Sequence, residues 1–394
     1  TSRFDAKCTG EKDFIFSRIS VNIINMTRIN PKWLTKRIRA VRREMDKKKI
    51  RFLLATRPAN VTYMPGFLGE DSWVAIARGR VYLLTDSRYT EQAQKECPSC
   101  KIINRAGPMA DAVANLVKKL KSVRTVAVED SVSMADFELL KKMVKARLRT
   151  AAGIIETLRS VKDDSEIAAI EAAAAISAKA LEQILPQIKP GVSESELAGM
   201  LDFQIRKLGA RNSFETIVAF GPNGSRPHHQ PGKRKLREND AVLIDFGAKY
   251  NGYCSDITRC FLCSEGILPL FPWRGHLALV PVARASLRLR SGQACPCSSP
   301  PAGRPRHTAS PRSAFYKKVY NVVEQAQAAA IKTIKPGVKI TQVDAAARDV
   351  IKKANLPVYG HGTGHGFGLE IHESPFLKPD GEGNLKAGQV ITIE

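Results

Sequence analysis

The segment VLIDFGAKYNGYCSDITR places Asp245 at the end of an apolar run and Asp256 eleven residues later, across a glycine-containing turn that predicts a hairpin. Carboxylates at the facing ends of a hairpin can share hard cations, and a bridging carboxylate holds two metal ions about 3.5 to 4 Å apart. Aspartates also flank ordinary turns, so taken alone the pair fits a structural role as well. A second segment, GHGTGHGFGLEIHESP, sets His361, His365 and His372 among glycines, which let a backbone approach a ligand closely. Imidazole is the commonest transition-metal ligand and the side chain best suited to moving protons near neutral pH. Three of the seven histidines within twelve residues are hard to explain by packing. His228, in RPHHQP, stands seventeen residues before Asp245 on a loop leading to the same strand. Alone it reads as a surface histidine.

The elements that must position these residues form an internal repeat. LPQIKPGVSESELAGMLDFQIRKLG is echoed by AAAIKTIKPGVKITQVDAAARDVIKKANL, and NDAVLIDFG by AGQVITIE. The two matches have registers of 146 and 149 residues, which predicts two similar halves. Asp245 and Glu394 then occupy equivalent strand ends. A buried strand ending in a carboxylate needs a partner to offset its desolvation, and a metal is such a partner.

Upstream, from Pro31 to about Ser160, helical and strand patterns alternate. Helices are predicted over 33–50, 109–123 and 134–148, strands over 50–56 and 124–130, and a hairpin over 73–86. This alternation argues for a layered α/β domain. The stretch 162–185, with acids and Ser165 at its start and Ile167, Ile170, Ala174, Leu181 and Ile184 on one face, predicts a long helix that opens a second domain. Residues 1–25 are expected to be a non-native or disordered extension, with Met26 able to serve as the start. From about 264 to 314 the chain is rich in Pro, Arg and Ser and lacks either periodicity, so a disordered insertion or a misread frame is expected there.

Composition excludes some classes. At 394 residues, two domains are the first expectation. No apolar run of 18 residues could cross a bilayer as a helix, and the opening residues carry no secretory pattern. A charge of +24 would ordinarily suggest nucleic acid, but the excess is scattered over several helices, and residues 264–314 alone carry seven Arg against one Glu. Solvated helix faces explain the excess, and neither a specific nucleic acid nor a membrane is expected as partner. Eight cysteines in such a chain make no disulfide framework and point to a reducing compartment, the cytoplasm. Cys97 with Cys100 and Cys260 with Cys263 raise a structural zinc site, but no flanking histidine or glycine-rich knuckle accompanies either pair.

Taken in order, PHH, VLIDFGAKYNGYCSDITR, GHGTGHGFGLEIHESP and VITIE resemble the creatinase and Xaa-Pro peptidase family, which includes aminopeptidase P and prolidase. The resemblance runs from about Pro31 to the end, apart from the inserted stretch. It implies an α/β (α+β) chain with a creatinase-like layered α/β domain over 26–158, followed over 159–394 by a pseudo-symmetric pita-bread catalytic domain. It implies two divalent metal ions, manganese first, with cobalt or zinc as alternatives. By the same resemblance Asp245 ligates one metal, Asp256 bridges both, and His365 and Glu394 serve the second. His228 and His372 match histidines that bind substrate and move protons, and His361 lies near the substrate pocket. A homodimer is implied too.

The implied activity is removal of an N-terminal amino acid from Xaa-Pro peptides by a metal-bridged hydroxide, with prolidase action on Xaa-Pro dipeptides as the alternative. The family's bridging glutamate on a following strand is not in this sequence, which stops at Glu394. The chain is therefore expected to be truncated, to bind metal weakly and to turn over poorly. A different class of reading, a non-catalytic binding protein with an incomplete metal site, is favoured by that gap and disfavoured by four ligands and all accessory histidines standing together.

Overall fold

A computed structural model describes residues 31–264, 266–269, 280–281 and 311–394, in two compact units. The first unit takes the described chain up to Ala172, together with Tyr250–Cys254 and Gly368–Glu370. Its centre is a six-stranded sheet of β1 (Phe52–Ala55), β2 (Trp73–Ala77), β3 (Val81–Thr85), β4 (Lys101–Asn104), β5 (Thr125–Glu129) and β6 (Arg147–Ala151), in the order β4-β3-β2-β1-β5-β6. The pairs β1 with β2 and β2 with β3 are antiparallel; β3 with β4, β1 with β5 and β5 with β6 are parallel. Strand β1, FLLA, is buried throughout, as a central strand covered on both faces must be. Helix Met109–Lys119 buries Ala110, Val113, Leu116 and Val117 at helical spacing in the core formed by Phe52, Leu54, Leu84, Val126 and Val128.

One boundary differs from the sequence pattern. The helix predicted over 134–148 ends at Met143, and Arg147–Ala151 is instead the edge strand β6, because parallel pairing with β5 outweighs helix propensity there. At the start of helix Asp164–Ile184 the cap is Asp163, one of the acids expected at this end. Asp163 Oδ1 accepts from the Ser165 and Glu166 amides at 3.0 Å, and Glu166 Oε2 accepts from the Asp163 amide at 3.1 Å. Buried Arg37 then pairs with Asp163 at 2.9 Å.

The second unit comprises Ala173–Lys249, Ser255–Phe367 and Ile371–Glu394, and its two halves repeat one another. After each KPGV turn the chain bonds to the strand approach of its own half. Gly191 N donates to Leu236 O and Leu236 N to Val192 O; 146 and 149 residues later, Gly337 N donates to Leu385 O and Leu385 N to Val338 O. Isolated bridges join Ser193 to Lys235 and Lys339 to Asn384 in the same registers. The repeat inferred from sequence is therefore a structural repeat, and it aligns Asp245, the penultimate residue of strand Ala241–Phe246, with Glu394, three residues past strand Val390–Ile391.

Each half builds an antiparallel sheet. The first runs Gly266–Pro269, Ile257–Ser264, Ala241–Phe246, Ile217–Phe220, and the second Val280–Pro281, Val390–Ile391, Gly364–Gly366, Glu373–Leu377. Helix Glu194–Lys207 opens with a Ser193–Glu196 capping box, and its counterpart Ile340–Lys353 buries Val343, Ala347 and Ile351 in the second half's core with Leu377, Leu385 and Ile391. Within 264–314, the stretch that carried no strand pattern, the strands Gly266–Pro269 and Val280–Pro281 and the first turn of helix Pro311–Thr333 are described. The rest of the expected insertion, and the expected extension at 1–25, lie outside the described residues.

Candidate metal centre

The first carboxylate sits on strand Ala241–Phe246, where Val242, Ile244 and Phe246 are buried and the intervening residues, Asp245 among them, face the other way. Thr258 lies directly opposite Asp245 on the partner strand and donates to Asp245 Oδ1 at 3.0 Å. The strand pairing begins at Ile257, so Asp256 enters the hairpin beside the end that carries Asp245. A Cβ at Gly247 would collide with the Ser255 carbonyl, which is why glycine follows Asp245 and Phe246.

In the second half His365 occupies the short strand Gly364–Gly366, held between Glu373–Leu377 and Val390–Ile391. A Cβ at Gly364 would strike the Thr392 carbonyl, so the glycines around His365 permit this close strand approach. Thr392 ties the two candidate ligands together. Its hydroxyl accepts from the His365 amide at 3.0 Å and donates to Glu394 Oε1 at 2.9 Å. The Glu394 amide donates to Thr363 O at 2.9 Å.

These elements bring Asp256, His365 and Glu394 together, with one ligand atom from each lying within 4.8 Å of the others. His365 Nε2 is 2.9 Å from Glu394 Oε1 and 3.6 Å from Asp256 Oδ2. On the other side of the ring, Nδ1 faces Gly366 O at 3.0 Å, a contact that keeps Nδ1 protonated and leaves Nε2 to bind a cation. Asp245 is outside this trio but adjoins it, since its charge acts on Asp256.

The electrostatics describe a site short of positive charge. Burial pushes Asp256 up to about 7, reinforced by the charges of Asp245 and Glu394. Burial likewise pushes Asp245 up to about 6, against the hydrogen bond from Thr258 and with the Glu394 charge adding. For His365 burial acts downward, but the hydrogen bond and charge of Glu394 outweigh it and raise the pKa; for Glu394 burial acts upward and the His365 bond outweighs it, lowering the pKa. Carboxylates this crowded resist ionising together, and a divalent cation would relieve the conflict. The mixed carboxylate and imidazole donors fit such an ion.

The accessory histidines are exposed, so they are open to a ligand. The His372 ring stands edge-on to His365 with centroids 4.5 Å apart, and partial desolvation together with the charge of His365 lowers its pKa. The charge of His228 acts on both Asp245 and His372, and that of His361 acts on Glu394. The structure thus gathers all seven residues singled out in the sequence into one unit. None of the described cysteines is joined in a disulfide or belongs to a described metal-type cluster.

Sequence reasoning missed the residues that hold these groups. His229, beside His228, is buried and bonds to fully buried Glu194 at 2.9 Å. Glu194 also accepts from the Phe220 and Gly232 amides and from Asn223, so one carboxylate pins both ends of the loop carrying His228. The doubled histidine was the available signal. Thr258 and Thr392, each two residues from a candidate ligand, were missed as well.

The profile of metallopeptidase family M24 matches residues 168–268 and 304–394, and that of the creatinase/prolidase N-terminal domain matches 37–161. An uncharacterized peptidase of Bacillus subtilis, YqhT, is 33% identical over 345 residues, covering 87% of this chain and 85% of that protein. The solved Xaa-Pro dipeptidase from Bacillus anthracis superposes with a TM-score of 0.74 at 33% identity, covering 91% of this chain and 89% of its own. An X-Pro aminopeptidase from Thermotoga maritima superposes at 0.70 with 29% identity and 89% of both chains covered.

Proposed function

The chain belongs to metallopeptidase family M24, and from that premise we propose that Asp245, Asp256, His365 and Glu394 hold two divalent cations with which the protein hydrolyses the bond before proline, as an Xaa-Pro aminopeptidase. One observation carries the reading: Asp256, His365 and Glu394 converge to within 4.8 Å from both halves of the repeat. When bound, the ions supply Lewis acidity for the scissile carbonyl and for the attacking water.

The chain's own residues do the rest. Thr258 and Thr392 aim the carboxylates of Asp245 and Glu394. His372, whose pKa is lowered by partial desolvation and by the neighbouring His365, can take a proton from the attacking water or return it to the leaving nitrogen. His228 faces the same centre and hydrogen-bonds the peptide, while His361 borders the substrate pocket. A bond to proline lacks an amide hydrogen, so recognition rests on the shape of the pocket rather than on a backbone donor.

Manganese is the first choice of ion, with cobalt or zinc next. In this reading the protein acts as a homodimer in the cytoplasm, a reducing compartment with which the free described cysteines accord. Prolidase action on Xaa-Pro dipeptides is the second reading, favoured by the similarity to a dipeptidase.

Assaying the full chain on Xaa-Pro dipeptides and on longer Xaa-Pro peptides, with and without chelator, tests both. Turnover that survives metal removal ends the metallopeptidase reading. Turnover of dipeptides alone selects prolidase.

A further inference from the structure

The helix Ile340–Lys353 carries a polar device on the face turned toward the His361 segment. Arg348 spreads its guanidinium over three acceptors: Nε donates to Asp344 Oδ2 at 2.7 Å, Nη1 to Tyr359 O at 2.8 Å and Nη2 to His361 O at 2.5 Å. The guanidinium also lies 4.5 Å from the centre of the Tyr359 ring, on which the His361 ring stacks with centroids 4.9 Å apart. Asp344 is only 1% exposed, and its second oxygen accepts from Thr363 at 2.7 Å. Tyr359 and Thr363 share a hydrogen bond of 2.6 Å through their hydroxyls.

Two consequences follow from the chemistry. A planar fork can satisfy a carboxylate and two carbonyls at once while stacking on an aromatic ring, and a lysine ammonium cannot reproduce that arrangement. Tyr359, His361 and Thr363 are thus held to one helix, and Thr363 passes the constraint on, because its carbonyl accepts the Glu394 amide. In the first half the equivalent helix position is Asp202, which receives bonds from Asn212 and Thr216. The repeat uses one helix site in both halves to anchor the segment that enters its sheet, with the polarity reversed.

We infer that Arg348, paired with Asp344, is the positioning residue that sets His361 against the substrate. This rests on the proposed peptidase reading, in which His361 lines the substrate pocket.

The test is Arg348→Lys in the full chain with manganese, alone and combined with His361→Ala. The lysine variant keeps the charge opposite Asp344 and loses the fork. Its KM for Xaa-Pro peptides is expected to rise about tenfold with kcat within about threefold, and its effect on KM is expected to vanish in the His361→Ala background. An unchanged KM, or effects that simply multiply in the double variant, overturns the inference. If Arg348→Lys does not fold, Arg348→Met with Asp344→Leu removes both charges of the pair together and carries the same cycle.

A wild-type chain that cleaves no Xaa-Pro peptide would end the functional reading, and the holding of His361 by Arg348 is then tested apart from it. The His361 ring resonance then decides: stacking on Tyr359 shifts it in the wild type, and Arg348→Lys should move it to the solvent-exposed value. A resonance that stays in place refutes the role of Arg348.

Discussion

His365 Nε2 and Glu394 Oε1 stand 2.9 Å apart, and the two residues are also linked through one hydroxyl, that of Thr392, which bonds to the His365 amide and to the Glu394 carboxylate. Side chains and backbone therefore impose the same spacing. Candidate ligands held this way would lose little further freedom on binding a cation.

Removing the imidazole should abolish the site rather than weaken it. His365→Ala is expected to lower manganese affinity by more than the roughly 10- to 100-fold that losing a ligand's hydrogen-bonding partner costs. Calorimetric titration with manganese measures this. Unchanged affinity would remove His365 from the site.

Without metal, stability should fall as pH rises through the acidic to neutral range. Asp245 and Asp256 have folded pKa values near 6 and 7, above an ordinary value of 3.8. A group raised in this way contributes stability that is complete below about pH 4 and is lost as pH climbs through the folded pKa. Glu129 and Glu166 in the first unit are pushed to about 7 by burial and slope the same way, so the metal-dependent difference is the informative quantity. Manganese should raise the melting temperature more at pH 7.5 than at pH 5. An equal gain at both values would show that Asp245 and Asp256 do not face the ion.

Thr392→Val tests the shared hydroxyl while conserving shape. It takes the donor from Glu394 and leaves the buried His365 amide without its acceptor, a cost of about 1 to 3 kcal/mol. Manganese affinity should fall about tenfold alongside a lower melting temperature. A loss of stability with affinity intact would confine Thr392 to packing.

The candidate site was legible because its chemistry is concentrated: carboxylates following apolar runs, histidines among glycines, and a repeat whose registers survive in the bonds of Gly191 and Gly337. The supporting residues were not. Glu194, Asp344 and Arg348 sit at ordinary helix positions in the sequence, and only folding shows that one carboxylate gathers four donors or that one guanidinium spans two carbonyls. The strand Arg147–Ala151 was hidden for a similar reason: its pairing partner lies about twenty residues upstream, beyond any local pattern.

Glu194 offers the sharpest separation between holding a loop and binding a metal. Its fully buried carboxylate accepts from two amides, Asn223 and His229, and those hydrogen bonds keep its pKa low although burial acts the other way. Glu194→Ala leaves four donors, those of Phe220 and His229 buried, without their acceptor, and should cost about 3 to 5 kcal/mol in urea unfolding. Glu194→Gln keeps one carbonyl acceptor but turns an amide toward donors, so it should fall between the alanine variant and the wild type. The bonds fix the loop that carries His228 and not the strand that carries Asp245. Under conditions where Glu194→Gln is folded, kcat should therefore drop about tenfold or more while manganese affinity stays within about threefold. If affinity fell in step with kcat, Glu194 would be acting on the metal ligands, and the assignment of this carboxylate to the His228 loop would fail.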